Sequence, residues 1–157
     1  MRQIADTDRT AGLARRRERG IEAYARIFDV PEQDVPDAMA GRVGMVFAEE
    51  AFLSAGDPAW SDPALTDRER SIVILTALAA QGVAGDRLDS HIRLAQRNGL
   101  DYEALTAIMT LMTNYIGYAH GSQAMEAVQR IAGPGWPSSA PGATSKSSAI
   151  PDREVTL

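Results

Sequence analysis

Two histidines, two tyrosines and a few arginines and amides are the residues of this chain whose types and spacing offer chemistry. His91 is the leading candidate for proton transfer, because a neutral imidazole binds and releases protons near physiological pH. The alternative is a helix histidine that hydrogen-bonds a neighbour. A second cluster surrounds Gly117 and consists of Tyr115, Tyr118 and His120. A phenol and a second imidazole there predict a proton-transfer pocket, with core or interface packing as the alternative for the tyrosines.

Four residues are candidates for binding a substrate. Arg87, one helical turn before His91, disfavours protonation of the imidazole and can bind a substrate carboxylate, with a structural salt bridge as the alternative. Arg70 lies near the start of an apolar segment, so it either pairs with a structural carboxylate or anchors an anionic ligand. Asn114 offers an amide to a developing oxyanion, or is simply exposed. Trp60 is the one aromatic residue of a polar connector.

Composition excludes several classes of function. Cysteine is absent from the 157 residues, which excludes disulfides, thiolate metal sites and thiol redox chemistry. With two histidines and no thiols, we expect no metal site. The net charge of −5 argues against a nucleic-acid partner, although the basic run at 15–19 leaves DNA binding as a minor alternative. No apolar run is long enough for a membrane span, and residues 1–19 resemble no signal peptide, so we expect a cytoplasmic protein without a membrane partner.

Apolar residues recur at helical spacing along most of the chain, and no strand alternation of useful length is present. We therefore expect an all-α fold, with a single domain of about six helices over residues 1–133. Beyond it, residues 134–157 are rich in Pro, Gly and Ser and predict a disordered tail. The predicted helices cover 10–28, 37–54, 66–81, 86–98, 101 to the region of Gly117, and a last segment through Ile131.

Helix ends are marked by specific residues. Thr66 followed by Glu69 predicts a capping box, and the segment after it is apolar on most faces, which predicts a buried central helix. Gly41 and Gly44 interrupt the second helix and either weaken it or allow a close helix crossing. Gly99 stands where a helix C-terminus favours glycine.

Three motifs lie between Trp60 and Ala119. The first has Trp60, a proline, a leucine and an acidic cap before Arg70-Ser and an apolar helix. The second is His91-Ile-Arg-Leu-Ala-Gln-Arg-Asn-Gly, and the third is Tyr115-Ile-Gly-Tyr-Ala119, with alanine where proline is usual. In order and spacing these motifs resemble the carboxymuconolactone decarboxylase family, over roughly residues 19–128.

The resemblance implies a fold and an assembly. It implies an alkylhydroperoxidase D-like orthogonal helical bundle, assembled into trimers or hexamers, with active-site pockets near subunit contacts and no required cofactor. One branch of this fold carries out thiol peroxidase chemistry through a Cys-x-x-Cys motif placed seven and four residues before the histidine. Those positions are Ala84 and Arg87 here, so thiol peroxidase activity is excluded.

The chain also departs from the decarboxylase branch. That branch has a glutamate one turn before the histidine, where Arg87 stands, and a second glutamate at the position of Ala107, with Glu103 a turn earlier. We expect a cofactor-independent, lyase-like acid–base enzyme for a small oxygenated carboxylic acid, lactone or β-keto compound, acting by decarboxylation or a related isomerisation or cyclisation. The alternative is a non-catalytic helical oligomer that binds a ligand or partner.

Overall fold

A computed structural model describes residues 2–56, 60 and 62–134, without the side chains of residues 2–9. All regular structure in these residues is helical, which confirms the predicted fold class. The elements are α1 (Arg2–Phe28), a 3-10 turn (Glu32–Asp34), α2 (Val35–Val43), α3 (Met45–Ala55), α4 (Asp67–Ala80), α5 (Asp86–Arg97), α6 (Tyr102–Ile116) and α7 (Tyr118–Ala132). Apart from Pro134, the predicted tail lies outside the described residues. Among those that are described, no helix has both the length and the apolar character of a membrane span.

The second predicted helix is two helices in the structure. Gly44 separates α2 from α3 because its φ of 85° is incompatible with a continuous α-helix. A Cβ atom added at Gly41 or at Gly44 would meet nothing within 4 Å. The predicted alternative of a close crossing at these glycines is therefore wrong.

The close crossing lies instead between α1 and α3. A Cβ atom on Gly20 would lie 1.8 Å from the carbonyl oxygen of Phe52, and one on Gly56 would lie 1.7 Å from that of Arg16. The two backbones thus touch at positions that only glycine can occupy. This contact fixes α1 against α3, above the fully buried ring of Phe52.

The start of α4 confirms the predicted capping box. The Thr66 hydroxyl accepts a hydrogen bond from the Glu69 backbone N–H (3.2 Å), and the Glu69 carboxylate accepts one from the Thr66 backbone N–H (2.7 Å). The prediction that α4 is buried on most faces is wrong for the single chain, because α5, α6 and α7 cover one side only. Leu75 is fully buried, whereas Val73 is 58% exposed.

Two apolar clusters form the interior. The larger one lies among α4–α7 and contains Leu75, Leu88, Ile92, Leu100, Leu105, Met109 and Val128. The smaller one lies under α1 and contains Val35, Met39, Ala48 and Phe52. Because α5 contributes to the larger cluster and also contacts α1, the histidine that it carries lies at the boundary between the two.

The position of α5 is fixed by polar contacts at both ends. Near its start, the Asp89 carboxylate accepts two hydrogen bonds of 2.6 Å from the Arg130 guanidinium of α7, an arrangement that raises the pKa of Arg130. At its end, Gly99 has a φ of 84°, and the backbone N–H of Leu100 donates to the Ala95 carbonyl at 2.9 Å. The predicted helix end at Gly99 is thereby confirmed.

Candidate active site

A cavity of about 270 Å³, which we term the histidine cavity, lies where α5 meets α1, α2 and α3. Its polar side chains are Tyr24, Arg42, Arg87, Ser90 and His91. Its apolar wall consists of Ile27, Phe28, Met39, Val43 and Phe47. The volume suits a small molecule, and the mixed lining suits one that has both a polar and an apolar part.

His91 is half-buried in this cavity, one helical turn after Arg87. Burial lowers the pKa of His91 below its ordinary value of 6.5, and the positive charge of Arg87 lowers it further. In the described part of the chain, no group forms a hydrogen bond or an ion pair with the imidazole. The ring is therefore neutral at pH 7 and available to a ligand as a base.

Two guanidinium groups line the same cavity as the imidazole. Arg87 is exposed on α5, and Arg42 reaches the cavity from α2, where its guanidinium lies 5.3 Å from the ring centroid of Phe28. The carboxylate nearest to Arg42 is that of the exposed Asp86, at 3.9 Å. Since no carboxylate is among the described lining residues, the cavity carries excess positive charge and suits an anion.

Tyr24 supplies a phenol from α1. Its ring packs against Phe28 and Phe52, with centroid distances of 5.5 and 5.7 Å. Burial raises the pKa of Tyr24, and the positive charge of Arg87 opposes part of this shift. The hydroxyl thus stays protonated at neutral pH and is a hydrogen-bond donor. The sequence patterns identify neither Tyr24 nor Arg42 as a site residue.

Of the predicted site residues, the histidine cavity brings together only His91 and Arg87. Tyr115 and Tyr118 are 84% and 81% exposed near the junction of α6 and α7. His120 is exposed as well, with its ring against Gly82 at the end of α4. These three side chains do not line the cavity in the single chain, because α6 and α7 pack on the larger core cluster and not on α1–α3.

The other predicted substrate-binding residues also lie elsewhere. Asn114 is exposed, and its amide donates long hydrogen bonds of 3.4 and 3.5 Å to carbonyl groups of its own helix. Arg70 and Trp60 line a separate cavity beside α1 and the start of α4. There the Arg70 guanidinium donates to the Asp67 carboxylate at 2.9 Å, so its predicted structural pairing is present. The functional roles of these residues stay predictions.

Metal ligands are not grouped in the described residues. Within residues 2–56, 60 and 62–134, no three histidine or carboxylate side chains lie close enough to hold a metal ion together. The two histidines themselves lie in different places, His91 in the histidine cavity and His120 beside Gly82.

Comparison with known proteins identifies the family. The model of the carboxymuconolactone decarboxylase family matches residues 48–130, which is more than half of the chain. No curated protein and no solved structure matches the chain. The match contains Arg87 and His91 but neither Tyr24 nor Arg42, so the histidine cavity combines a family helix with side chains from the preceding part of the chain. The chain belongs to the carboxymuconolactone decarboxylase family.

Proposed function

We propose that this protein is a cofactor-independent acid–base enzyme of the cytoplasm that acts on a small oxygenated carboxylic acid, lactone or β-keto compound. The observation that carries the proposal is the half-buried His91, with its lowered pKa, next to Arg87 in a cavity that Arg42 also lines. Such a combination of a neutral base and an anion-binding surface suits proton transfer next to a carbonyl group.

Isomerisation uses the groups in a simple order. Arg87 and Arg42 bind the substrate carboxylate through charge-assisted hydrogen bonds. Neutral His91 then removes a proton from the carbon next to the carbonyl group, and the electron pair of that C–H bond forms an enolate. The hydroxyl of Tyr24 donates a hydrogen bond to the enolate oxygen. Return of the proton from His91 to a different carbon completes the reaction.

Decarboxylation uses the same groups. The arginines hold one carboxylate or the lactone end, while the carboxylate that leaves faces the apolar wall formed by Phe28, Met39 and Phe47. Loss of CO2 breaks the C–C bond and leaves its electron pair in an enolate bound to Tyr24. A bound anion raises the pKa of His91, so the imidazole takes a proton from water and delivers it to carbon.

Proton NMR in D2O tests the proposal with acetoacetate as the β-keto acid and a carboxylated butenolide as the lactone. Turnover is followed as deuterium entering the substrate or product and as loss of the substrate signals. We expect at least one of these compounds to react faster with the protein than in buffer, and the His91→Asn variant to lose that acceleration.

The alternative is a binding protein without catalysis, and one observation favours it. Neither family glutamate is present, and the described lining of the histidine cavity contains no carboxylate to assist proton transfer. Binding of the same compounds, seen as changes in chemical shift without deuterium incorporation or product formation beyond the rate in buffer, would support this alternative and reject the enzyme.

We also propose that the chain forms a homo-oligomer, a trimer or hexamer as its family resemblance implies. Large apolar or aromatic side chains are exposed on several helices, namely Met45, Val46, Phe47, Val73, Leu111, Tyr115 and Tyr118. Met45, Val46 and Phe47 are consecutive, and a monomer rarely exposes a contiguous apolar patch to water. Phe47 is 61% exposed and also lines the histidine cavity, so a partner seated on α3 would cover the cavity entrance.

The Val46→Glu variant tests this assembly. Val46 is 82% exposed in the single chain, so a charge there hardly disturbs the fold but opposes burial in an interface. We expect light scattering to show a trimer or hexamer for the parent protein and a smaller species for Val46→Glu. The Gln123→Glu variant, which adds the same charge at an exposed position on α7, is the matched control. A monomeric parent protein contradicts the proposal.

A further inference from the structure

A second cavity, of about 420 Å³, lies between α1, the end of α3 and the start of α4. We term it the arginine cleft. Among the described residues, its charged lining consists of Arg19, Glu22, Arg26, Asp67 and Arg70. Trp60 lines it as well, and none of its described lining residues also lines the histidine cavity. The proposed acid–base chemistry makes no use of it.

The guanidinium of Arg70 is nearly buried beside this cleft, because its side chain is only 11% exposed. One terminal nitrogen donates to the Asp67 carboxylate at 2.9 Å, and the other donates to the carbonyl of Asp62. The Nε atom is buried, and no group among the described residues accepts a hydrogen bond from it. A buried guanidinium N–H without an acceptor is unfavourable, so Arg70 favours a ligand that brings one.

A small recess lies beside the Arg70 side chain. It has a volume of about 20 Å³ and is lined by Trp60, Arg26, Asp67 and Arg70, among others. That volume accommodates one water molecule or one oxygen atom of a larger ligand. The amide of Asn98, which also reaches the recess, already donates to the Ser71 hydroxyl at 2.9 Å and to the Asp67 carbonyl at 3.2 Å.

The charges of the arginine cleft favour an anion. Among the described residues, three guanidinium groups line it, against two carboxylates. Asp67 is shared between Arg70 at 2.9 Å and Arg26 at 3.8 Å, so neither guanidinium has a carboxylate to itself. This local excess of positive charge stands in a chain whose net charge is −5. A small anion is therefore attracted to this cleft more than to the surface at large.

We propose that the arginine cleft is a second binding site, which takes a small carboxylate with a planar apolar body. One carboxylate oxygen occupies the recess and accepts from the Arg70 Nε, while Arg26 binds the other oxygen. The planar body lies against the indole of Trp60, which is half-buried at the border of the cleft. The outer cavity has room for a molecule of the size of benzoate.

NMR of the Trp60 indole N–H tests the proposal with benzoate as the probe and benzyl alcohol as its uncharged counterpart. The full-length Trp136→Phe variant is used as the parent protein, because Trp60 is then its one tryptophan. We expect benzoate to shift the indole signal with saturation and benzyl alcohol to leave it in place. An equal response to both compounds, or none to benzoate, overturns the proposal.

Two arginine variants locate the site. Arg26 has a side chain that is 47% exposed, so Arg26→Ala leaves the fold intact and is expected to weaken benzoate binding at least about tenfold. Arg87→Ala alters the histidine cavity and is expected to leave the dissociation constant measured at Trp60 unchanged. If Arg26→Ala has no effect, or if Arg87→Ala abolishes the shift, the arginine cleft is not the site. Neither result depends on whether the histidine cavity catalyses a reaction.

Discussion

The histidine cavity and the arginine cleft both use α1 as a wall, yet they differ in what their side chains can do. The histidine cavity has an imidazole with a lowered pKa, two guanidinium groups and no described carboxylate. Among its described residues, the arginine cleft has three guanidinium groups, two carboxylates and no histidine. Positive charge is enough to hold an anion, whereas proton transfer at neutral pH also needs a group that titrates there. We therefore propose catalysis for the first region and binding alone for the second.

Replacing the imidazole of His91 is expected to give the largest difference between its effects on the two regions. His91→Asn removes the base, and we expect kcat to fall by about 10²–10⁴-fold in the deuterium assay. Benzoate binding at Trp60 should be unchanged, because His91 does not line the arginine cleft. His120→Asn is the matched control, because it makes the same change at the exposed histidine beside Gly82. It also tests the sequence prediction of a second catalytic imidazole. An equal loss in both variants would contradict the assignment to His91.

Disturbing α1 affects both regions at once. Gly20→Ala puts a Cβ atom into the Phe52 carbonyl, so α1 has to move, and we expect the free energy of unfolding to fall by about 3 kcal/mol. Denaturant titration measures the loss. Gly41→Ala is the control, because its Cβ meets nothing within 4 Å, and a helical alanine is expected to stabilise by up to about 1 kcal/mol. Equal stabilities of the two variants would contradict the close crossing.

Removing one guanidinium from the histidine cavity weakens substrate binding. Arg87→Ala is expected to lower kcat/KM by about 10–100-fold, mostly through KM, since a hydrogen bond to a charged group contributes about 1.5–3 kcal/mol. Arg93→Ala removes the same charge from an exposed position on α5 that lines neither region. Steady-state kinetics of the two variants should therefore differ. Equal losses would indicate a general effect of charge.

The smallest expected effect is on the pH dependence. His91 acts as a base in its neutral form, so kcat/KM should fall as the pH drops through its pKa, which lies below 6.5. Arg87→Ala removes a positive charge that favours the neutral ring, so the acid limb should move to higher pH. A pH profile of kcat/KM for both proteins checks this. A limb that moves to lower pH would contradict the electrostatic role of Arg87.

The sequence predicted the parts of this molecule that depend on near neighbours. The capping box follows from the spacing of three residues between Thr66 and Glu69. The proximity of Arg87 to His91 follows from their spacing of four residues on one helix. The sequence predicts one helix where Gly44 separates two, because glycine can occupy a weak helix as well as a position with positive φ. The other site residues are brought together by contacts between helices that are distant in sequence.

Long-range packing explains the part of the site that the sequence did not predict. Tyr24 and Arg42 line one cavity with His91, because the packing of α1 on α3 at Gly20 accompanies the placement of α1 and α2 beside α5. No local spacing links these residues to the histidine. Conversely, His120 directly follows the motif Tyr115-Ile-Gly-Tyr-Ala119 in sequence but lies against Gly82 at the end of α4, because α7 packs on the larger core cluster.

NMR titration of the His91 imidazole, with and without levulinate, tests most directly whether the histidine cavity combines a neutral base with an anion-binding surface. Levulinate is a keto acid that lacks the β-keto arrangement and so stays intact during the experiment. We predict a midpoint below 6.5 for the free protein and a higher midpoint when levulinate is bound, because the anion favours the charged ring. A midpoint at or above 6.5 that does not respond to levulinate would contradict the central claim.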